Sequence, residues 1–522
     1  MDNPAYVIDF EKTSDTLKNS KKSEQLQQEA YTFEDAITLT GIGKFHYLLL
    51  LVCGLCFMSV MVEIMGVGLI MPSMKCDLES TVSEQGMLAS AGFLGVVLSS
   101  HAMGFLADTW GRVRTLRYAL ILSAISTIIS SFSVNILMLT VFRFLTGFFI
   151  SGGQACVFSL CGEFHGNKTR VRYVTLLSGF LPLALIYLPF MSSIILPLQI
   201  DTTVLGMKFS SWRILLMVNS ALSIIAVVGL YTIPETPKYI LVQGDHDGAL
   251  EVLRTIFERN TGRPRSHYAV KNIILETGGA SLTDIHGFKD AVKMIWNQTI
   301  PLFYKERYLH TINICLIMFV VYGISQGLFM WFPTILNEMI SKDGLGLTTC
   351  YIITNMELTT NLSTDICAGE VDTFMFNVLM VIGAAFTVFF LIFAYTIDYV
   401  GKKNLLICWL IVSGICMTVI HWITVFYISV FAITLIMAVG NCGGLVSTIA
   451  MEFFPTNINA MGMCFIMMIG RLGAVVGANI MGQIIFNYCD LVFWVFLGIV
   501  CILCFMGLVL PERKTDKKSV MK

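Results

Sequence analysis

Twelve apolar runs, each about long enough to cross a bilayer, constrain this 522-residue chain more than anything else in it. Lipid offers the backbone no hydrogen-bond partner, so a crossing takes about 20 apolar residues wound as a helix. The first six runs lie at about 47–72, 86–106, 115–133, 136–158, 174–198 and 212–233. The second six lie at about 309–332, 373–397, 405–424, 427–450, 460–485 and 490–510. Between the sixes, residues 234–308 carry Glu251, Arg254, Glu258 and Arg259 in a helical pattern, then Gly262 and Pro264. The expected fold class is an all-α membrane protein of two six-helix bundles, at 47–233 and 309–510, joined by a linker at 234–308 with short helices. A polar tail at 1–46, an external loop at 334–372 and a second tail at 511–522 complete the expected organisation. Charged residues make up 13% of the chain, about half the share of a soluble domain, which excludes a soluble enzyme, a disordered scaffold and a secreted disulfide module. A net charge of −1 gives nucleic acid no electrostatic footprint. The 15 cysteines are scattered without metal-site spacing and no phosphate-binding Walker loop is present, so no metal or other cofactor is expected.

Lysine and arginine set the orientation. With both termini in the cytosol, 28 of the 34 basic residues fall inside. Lys75, Lys208 and Lys342 fall outside, and Arg143, Arg213 and Arg471 lie in or at the edge of spans. The opening stretch, with Lys12, Lys18, Lys21 and Lys22, has no signal-peptide pattern and is expected to be a mostly disordered cytosolic tail. The expected location is the plasma membrane or an intracellular vesicle membrane.

The chain also repeats itself. Asp108 and Gly111 recur as Asp398 and Gly401, and Glu163-Phe164 recurs as Glu452-Phe453. Span 6 ends in Ile233-Pro234-Glu235 and span 12 in Leu510-Pro511-Glu512. Two six-span bundles in parallel repeat, with a site between them at the midplane, are the architecture of a rocking transporter.

Between spans 2 and 3 stands Gly104-Phe105-Leu106-Ala107-Asp108-Thr109-Trp110-Gly111-Arg112-Val113-Arg114. This resembles the signature loop of the major facilitator superfamily. Asp108 sits where it can pair with Arg112 and cap a facing helix, and Gly111 permits the tight turn. The degenerate second copy is Asp398-Tyr399-Val400-Gly401-Lys402-Lys403. Arg143 with Gly147, Pro234-Glu235-Thr236-Pro237-Lys238, and Glu452-Phe453-Phe454-Pro455-Thr456 resemble further elements of the superfamily's sugar and organic-ion branches. From about residue 33 the chain is most similar to the synaptic vesicle glycoprotein 2 family and its insect relatives. Val62-Glu63, Ser211-Trp212-Arg213, Tyr322-Gly323 with Trp331-Phe332-Pro333, and Gly470-Arg471-Leu472-Gly473 carry that likeness. Departures accompany it. Val60 stands where the vertebrate proteins have Asp, Asn459 where the family has a basic residue, and the span 10 Trp and Asp are replaced within Gly440-Asn441-Cys442-Gly443-Gly444.

Glu63 is the leading candidate for binding a proton or a cationic group, since a carboxylate within a span is costly unless it faces a cavity or a partner. Arg143 or Arg471 is its candidate partner. Arg471 is also a candidate anion ligand, because guanidinium stays charged. Gln154, Tyr187, Asn313, Tyr322, Gln326, Trp331, Asn377, Asn441 and Asn479 complete the candidate cavity lining, although an amide within a bundle is as often interhelical glue. Asp108, Arg112, Arg143, Glu163, Arg170, Asp398, Lys402 and Glu452 are the candidate gate charges. Pro182, Pro189 and Pro197 suggest a kinked span 5. Asn361 heads a glycosylation sequon on the expected outer side. Cys350 and Cys367 flank it as a candidate disulfide, with Cys76 and Cys489 as rival partners.

Two readings follow. The first is a monomeric secondary transporter of a small organic solute working by alternating access, with protons as a candidate coupling ion and an organic cation as one candidate solute. The second is a membrane glycoprotein that keeps the fold as a binding or regulatory protein. Val60 and Asn459 favour the second. Glu63 and the intact signature loop favour the first. An enzyme is not expected, because no nucleophile–base pair can be placed.

Overall fold

The computed structural model describes residues 30–198, 200, 203–204, 207–274, 299–304, 307–341, 347–354, 373–454 and 456–510. For Gln154, Asp398 and Glu452 it describes the backbone only, and Asn361 and Cys367 lie outside the described residues. Eleven helices among the described residues are long and apolar enough to cross a membrane. Spans 1 to 4 are Lys44–Asp77, Val82–Trp110, Arg112–Ser131 and Ile136–Glu163. Span 5 is two segments, Asn167–Ser178 and Phe180–Ile195, and span 6 is Ser211–Leu230. Spans 7 to 9 are Tyr308–Ser341, Thr373–Val400 and Lys402–Val419. Span 10 begins as Phe426–Met437, tightens to a 3-10 turn over Ala438–Asn441 and resumes as Cys442–Phe453.

The expected gap between spans 11 and 12 is no loop. One helical stretch, Thr456–Leu508, covers both, broken by a single non-helical residue at Tyr488. Fifty-three residues of straight helix would reach about 80 Å, far more than one bilayer core, so the stretch supplies two crossings. The spans also outrun their apolar runs. Span 1 starts at Lys44 and span 7 continues to Ser341, because helix propagation adds a hydrogen bond per residue and tolerates charge once it leaves the hydrocarbon.

Residues facing outward on the spans, such as Leu98, Val228, Val381 and Phe505, are apolar and exposed, as a lipid-facing surface requires. Inside, glycine replaces side-chain packing where helices cross closely. A Cβ at Gly147 on span 4 would lie 2.0 Å from the Gly92 carbonyl oxygen on span 2. In the second bundle a Cβ at Gly473 on span 11 would lie 2.0 Å from the Phe319 oxygen on span 7. Each bundle thus has one backbone-to-backbone seam of the small-residue kind.

The proline reading of span 5 has a local outcome. Pro182 has no N–H to donate to the Ser178 carbonyl, and the helix is interrupted between those two positions, at Gly179.

The N-terminal tail corrects the expectation of disorder up to residue 46. Residues 30–32 pair in parallel with Asn272–Ile274 of the linker, and Phe33–Leu39 is a helix capped by Thr32. Asn260, on the linker helix His246–Thr261, accepts from the Phe45 backbone N–H at 3.1 Å and donates to the Gly41 carbonyl at 2.9 Å. Tyr268 donates to the Ala36 carbonyl at 2.6 Å. The tail segment and linker form a strap across one end of the first bundle. That end, the linker face, also carries the 2–3 and 4–5 loops. The opposite end is the far face.

Candidate functional site

A cavity of about 300 Å³ lies at mid-depth between the bundles. Phe57, Phe93 and Phe158 line it from the first bundle, and Phe329, Phe386 and Phe390 from the second. Its polar wall comes from the second bundle: Tyr322, Ser325 and Gln326 on span 7, Asn441 in the span 10 turn and Arg471 on span 11. Arg471 donates to the Ser100 hydroxyl on span 2 at 2.9 Å, so it also reaches across to the first bundle.

The glycine-rich piece of span 10 explains this placement. Ser325 donates to the Met437 carbonyl at 2.6 Å, where the helix tightens. A Cβ at Gly443 would lie 2.5 Å from the Tyr322 ring, and one at Gly440 would lie 2.4 Å from the Ser325 hydroxyl. The glycines admit Tyr322 and Ser325, and the turn aims Asn441 inward. Gln326 Oε1 and Asn441 Nδ2 are buried at the wall without a hydrogen-bond partner. A polar solute atom would satisfy each.

Toward the far face the bundles close on one another. A Cβ at Gly68 on span 1 would lie 2.8 Å from the Met330 oxygen on span 7. One at Gly383 on span 8 would lie 2.9 Å from the Leu185 oxygen on span 5. Between those approaches remains an apolar void of only about 40 Å³, walled by residues such as Leu69, Leu188, Phe332 and Ile382.

Glu63 does not line the cavity. Its carboxylate is fully buried inside the first bundle, where it accepts from Thr127 at 2.7 Å and from Arg143 at 3.3 Å. Arg143 also donates to Ser130 at 2.7 Å. Glu63 Oε1 and Arg143 Nε have no hydrogen-bond partner. Arg143 therefore belongs to this pair, at a distance from the other candidate gate charges.

Asp108, Arg112, Glu163 and Arg170 lie at the linker face. Arg112 pairs with Asp108 at 2.9 Å and with Glu163 at 3.2 Å. Glu235, after span 6, accepts from the Val113 and Arg114 backbone N–H groups at 3.0 and 3.3 Å. It thus occupies the helix N-terminus for which Asp108 was a candidate cap. Gly111 adopts φ 104° in this turn and Gly401 adopts φ 85° in the second copy, a conformation that favours glycine. Arg170 pairs with Glu34 of the strap at 2.5 Å, and not with Glu163. Lys402 opens span 9 beside Gly401. Next to Arg170, His165 donates from Nδ1 to the Cys161 carbonyl at 2.7 Å and stacks on Tyr173. Burial pushes its imidazole down to about 4, and the neighbouring His46 and Arg170 push the same way.

Other candidates do structural work. Trp331 is fully buried and donates to the Ala478 carbonyl at 2.8 Å, with its ring against Gly482. Asn313 donates to the Met506 carbonyl at 3.1 Å, and Asn479 to Val475 of its own helix at 2.9 Å. Asn377 faces outward and Tyr187 is half-buried, and neither is among the cavity-lining residues. Cys350 is bonded to Cys489 and not to Cys367, which joins the short helix Thr349–Thr354 to the 11–12 turn. His421, Asp490 and this disulfide lie together, and the sulfur committed to Cys489 is no metal ligand.

Residue-type reasoning missed the six phenylalanines, because phenylalanine in a span equally faces lipid or packs in a core. It also missed Asp77, which accepts from Trp212 at 3.0 Å and from Arg213 at 3.2 Å. Ser211-Trp212-Arg213 stood out in the sequence only as part of the family likeness.

Comparison with known proteins agrees with this geometry. The family model described as Major Facilitator Superfamily matches residues 52–356. Human synaptic vesicle glycoprotein 2B is 26% identical over 335 residues, covering 61% of this chain and 49% of that protein. Mouse synaptic vesicle glycoprotein 2C is 27% identical over 344 residues, covering 63% and 47%. The chain thus spans about half the length of the curated relatives it matches. Among solved structures, the inward open xylose transporter XylE from E. coli superposes with a TM-score of 0.65 at 13% identity, covering 90% of this chain and 98% of that one. The nucleoside transporter NupG superposes with a TM-score of 0.59 at 13% identity, covering 89% and 100%.

Proposed function

The chain belongs to the major facilitator superfamily, a transporter family and not an enzyme family, and on that premise we propose that it carries a small organic solute across a bilayer by alternating access, coupled to protons. The observation that supports this most is the mid-depth cavity, walled by both bundles and sealed toward the far face. A solute held there touches both moving bodies, so rocking them exposes it to one side and then the other.

In this reading the linker face and both chain ends lie in the cytosol, and a single copy suffices, in the plasma membrane or a vesicle membrane. Asp108, Arg112 and Glu163 are the cytosolic gate of the first bundle, with Asp398, Lys402 and Glu452 as its counterpart on the second. Glu63 is the proton site. Protonating it removes the partner of Arg143 within the first bundle, so the charge state of the pair biases the position of that bundle.

Uptake into proteoliposomes of the purified full chain tests this. Labelled sugars, organic anions and organic cations are offered with and without an inward proton gradient, beside Glu63→Gln. Gradient-driven accumulation that is lost in Glu63→Gln is the expected result. Uptake indifferent to both gradient and variant removes the proton coupling and leaves the transporter. No uptake of any class by folded protein overturns transport in favour of a binding glycoprotein.

A further inference from the structure

Spans 1 and 5 both start at the linker face, and their outward faces begin there with positive charge. On the first segment of span 5, Lys168, Val171, Arg172, Thr175 and Leu176 are exposed, one unbroken stripe at helical spacing. On span 1 the exposed residues Lys44, Tyr47, Leu48 and Leu51 make a second stripe. The His46 and Tyr173 rings, 6.5 Å apart, set the two helices in register. At about 1.5 Å of rise per residue, Lys44 then stands level with Lys168 and Arg172, just below Tyr47. Within the described residues none of these three cations has a carboxylate partner. The nearby carboxylate of Glu34 is engaged by Arg170 and by the Asn167 backbone N–H.

We propose that this surface binds one anionic phospholipid. Its phosphate lies among Lys44, Lys168 and Arg172, its glycerol region lies against Tyr47, and an acyl chain follows the exposed leucines and Val171 up the two spans. Charge and apolar surface each contribute to the assignment. Basic side chains at the membrane surface attract anionic headgroups, and tyrosine settles at headgroup level. A zwitterionic headgroup brings a cation of its own against the three already there. A free phosphate would use the cations alone, so the apolar stripes beneath them select a lipid. The site goes beyond the transport reading and does not depend on what the central cavity carries. It is placed to act on that cavity all the same. The segment that bears Lys168 and Arg172 continues, past the break at Gly179, into the one whose Leu181 and Leu185 line the cavity.

The test uses the delipidated full chain in detergent and counts lipid adducts by native mass spectrometry. The probes are phosphatidylglycerol and phosphatidylcholine with the same acyl chains, and glycerol 3-phosphate as the headgroup without a tail. One phosphatidylglycerol is expected to bind about tenfold tighter than phosphatidylcholine, and glycerol 3-phosphate not at all at the same concentration. Lys44→Gln with Lys168→Gln and Arg172→Gln is expected to bring phosphatidylglycerol down to the level of phosphatidylcholine. Removing three cations from the linker instead, by Arg254→Gln with Arg263→Gln and Lys271→Gln, is expected to leave the preference in place. Lys168→Arg with Arg172→Lys, which keeps the charge, should keep it too. Equal binding of the two lipids, no binding of either, or glycerol 3-phosphate competing as well as the lipid overturns the proposal. So does a preference that survives the first triple variant or is lost equally in the second. Should the first triple variant misfold, its three single substitutions decide, each expected to cut the preference about twofold.

Discussion

The two bundles are built on one repeat and hold themselves together differently. The first locks its interior with charge: Glu63 with Arg143 near mid-depth, and Asp77 with Arg213 toward the far face. Aligning Pro72 with Pro333 puts Ile324 opposite Glu63, and aligning Glu163 with Glu452 puts Ala432 opposite Arg143. The second bundle therefore packs apolar side chains where the first has an ion pair. Its own arginine, Arg471, faces the cavity. Its span 10 tightens through a 3-10 turn, whereas the equivalent span 4 runs unbroken from Ile136 to Glu163. One bundle is a charge-locked body. The other is a softer wall that presents a tightened helix turn and the amide atoms of Gln326 and Asn441 to the cavity.

The sharpest way to break that contrast is to take one partner from the buried pair. Glu63→Leu leaves Arg143 buried and uncompensated, and is expected to cost about 3–5 kcal/mol of stability. Glu63→Leu with Arg143→Met, which makes the first bundle resemble the second here, is expected to recover most of that. Thermal unfolding of detergent-solubilised protein reads both. A double variant as unstable as the single one would mean that the pair is no removable lock. Next in size are the glycine seams, where the bundles should behave alike. Gly147→Ala and Gly473→Ala each force a methyl group onto facing backbone 2.0 Å away and are expected to cost about 1–3 kcal/mol, equally, in the same melts. A large inequality between them would show that one seam relaxes and the other does not.

This contrast also marks what could be read from the sequence. Apolar run length announces a span because lipid imposes the requirement locally, so the crossings and the repeat were legible in advance. The turns at Gly111 and Gly401 were legible for a similar reason, since a left-handed residue selects glycine within a few positions. Choosing between Arg143 and Arg471 as partner of Glu63 was not possible, because that depends on which face of span 1 turns toward which bundle. Trp331 and Gln326 are on the same helix, five residues apart, yet one packs against span 11 and the other faces the cavity. Helix rotation decides such cases, and residue type does not encode it. The strap escaped notice because its strands are three residues long and pair across more than 200 positions, leaving no local signature.

The loops that start spans 3 and 9 give a smaller contrast. In the first bundle Glu235 holds two backbone N–H groups at the start of span 3, a charged cap in line with the helix dipole. In the second, the Lys403 ammonium donates to the Leu510 carbonyl at 3.3 Å. Glu235→Ala is expected to cost about 1–2 kcal/mol and Lys403→Ala only a few tenths, by denaturant or thermal melts. Equal losses would mean that the motif anchors both copies by means other than these side chains.

The strap gives an effect that responds to pH. It rests on the first bundle through Glu34 with Arg170, and inside that bundle the rings of His46, in the first turn of span 1, and His165 lie 4.7 Å apart. His165 is held neutral, its imidazole lowered to about 4 by burial, with Arg170 and His46 opposing a further positive charge. Once the strap and its loop open, the same ring titrates near its ordinary value of about 6.5. Between these values the open state binds the proton and the closed state does not. Stability contributed here is therefore complete above about 6.5, falls as the pH drops, and is fully lost by about 4. At pH 5.5 the expected loss is about 1 kcal/mol. Amide hydrogen exchange of residues 31–40, corrected for the intrinsic pH dependence, should lose several-fold protection between pH 7.5 and 5.5. The span 7 to span 11 seam of the second bundle should not change. Replacing the ring by His165→Gln should abolish the difference between the two pH values. If the difference survives that substitution, the proton acts elsewhere, and the strap is not the part that makes the first bundle answer to acid.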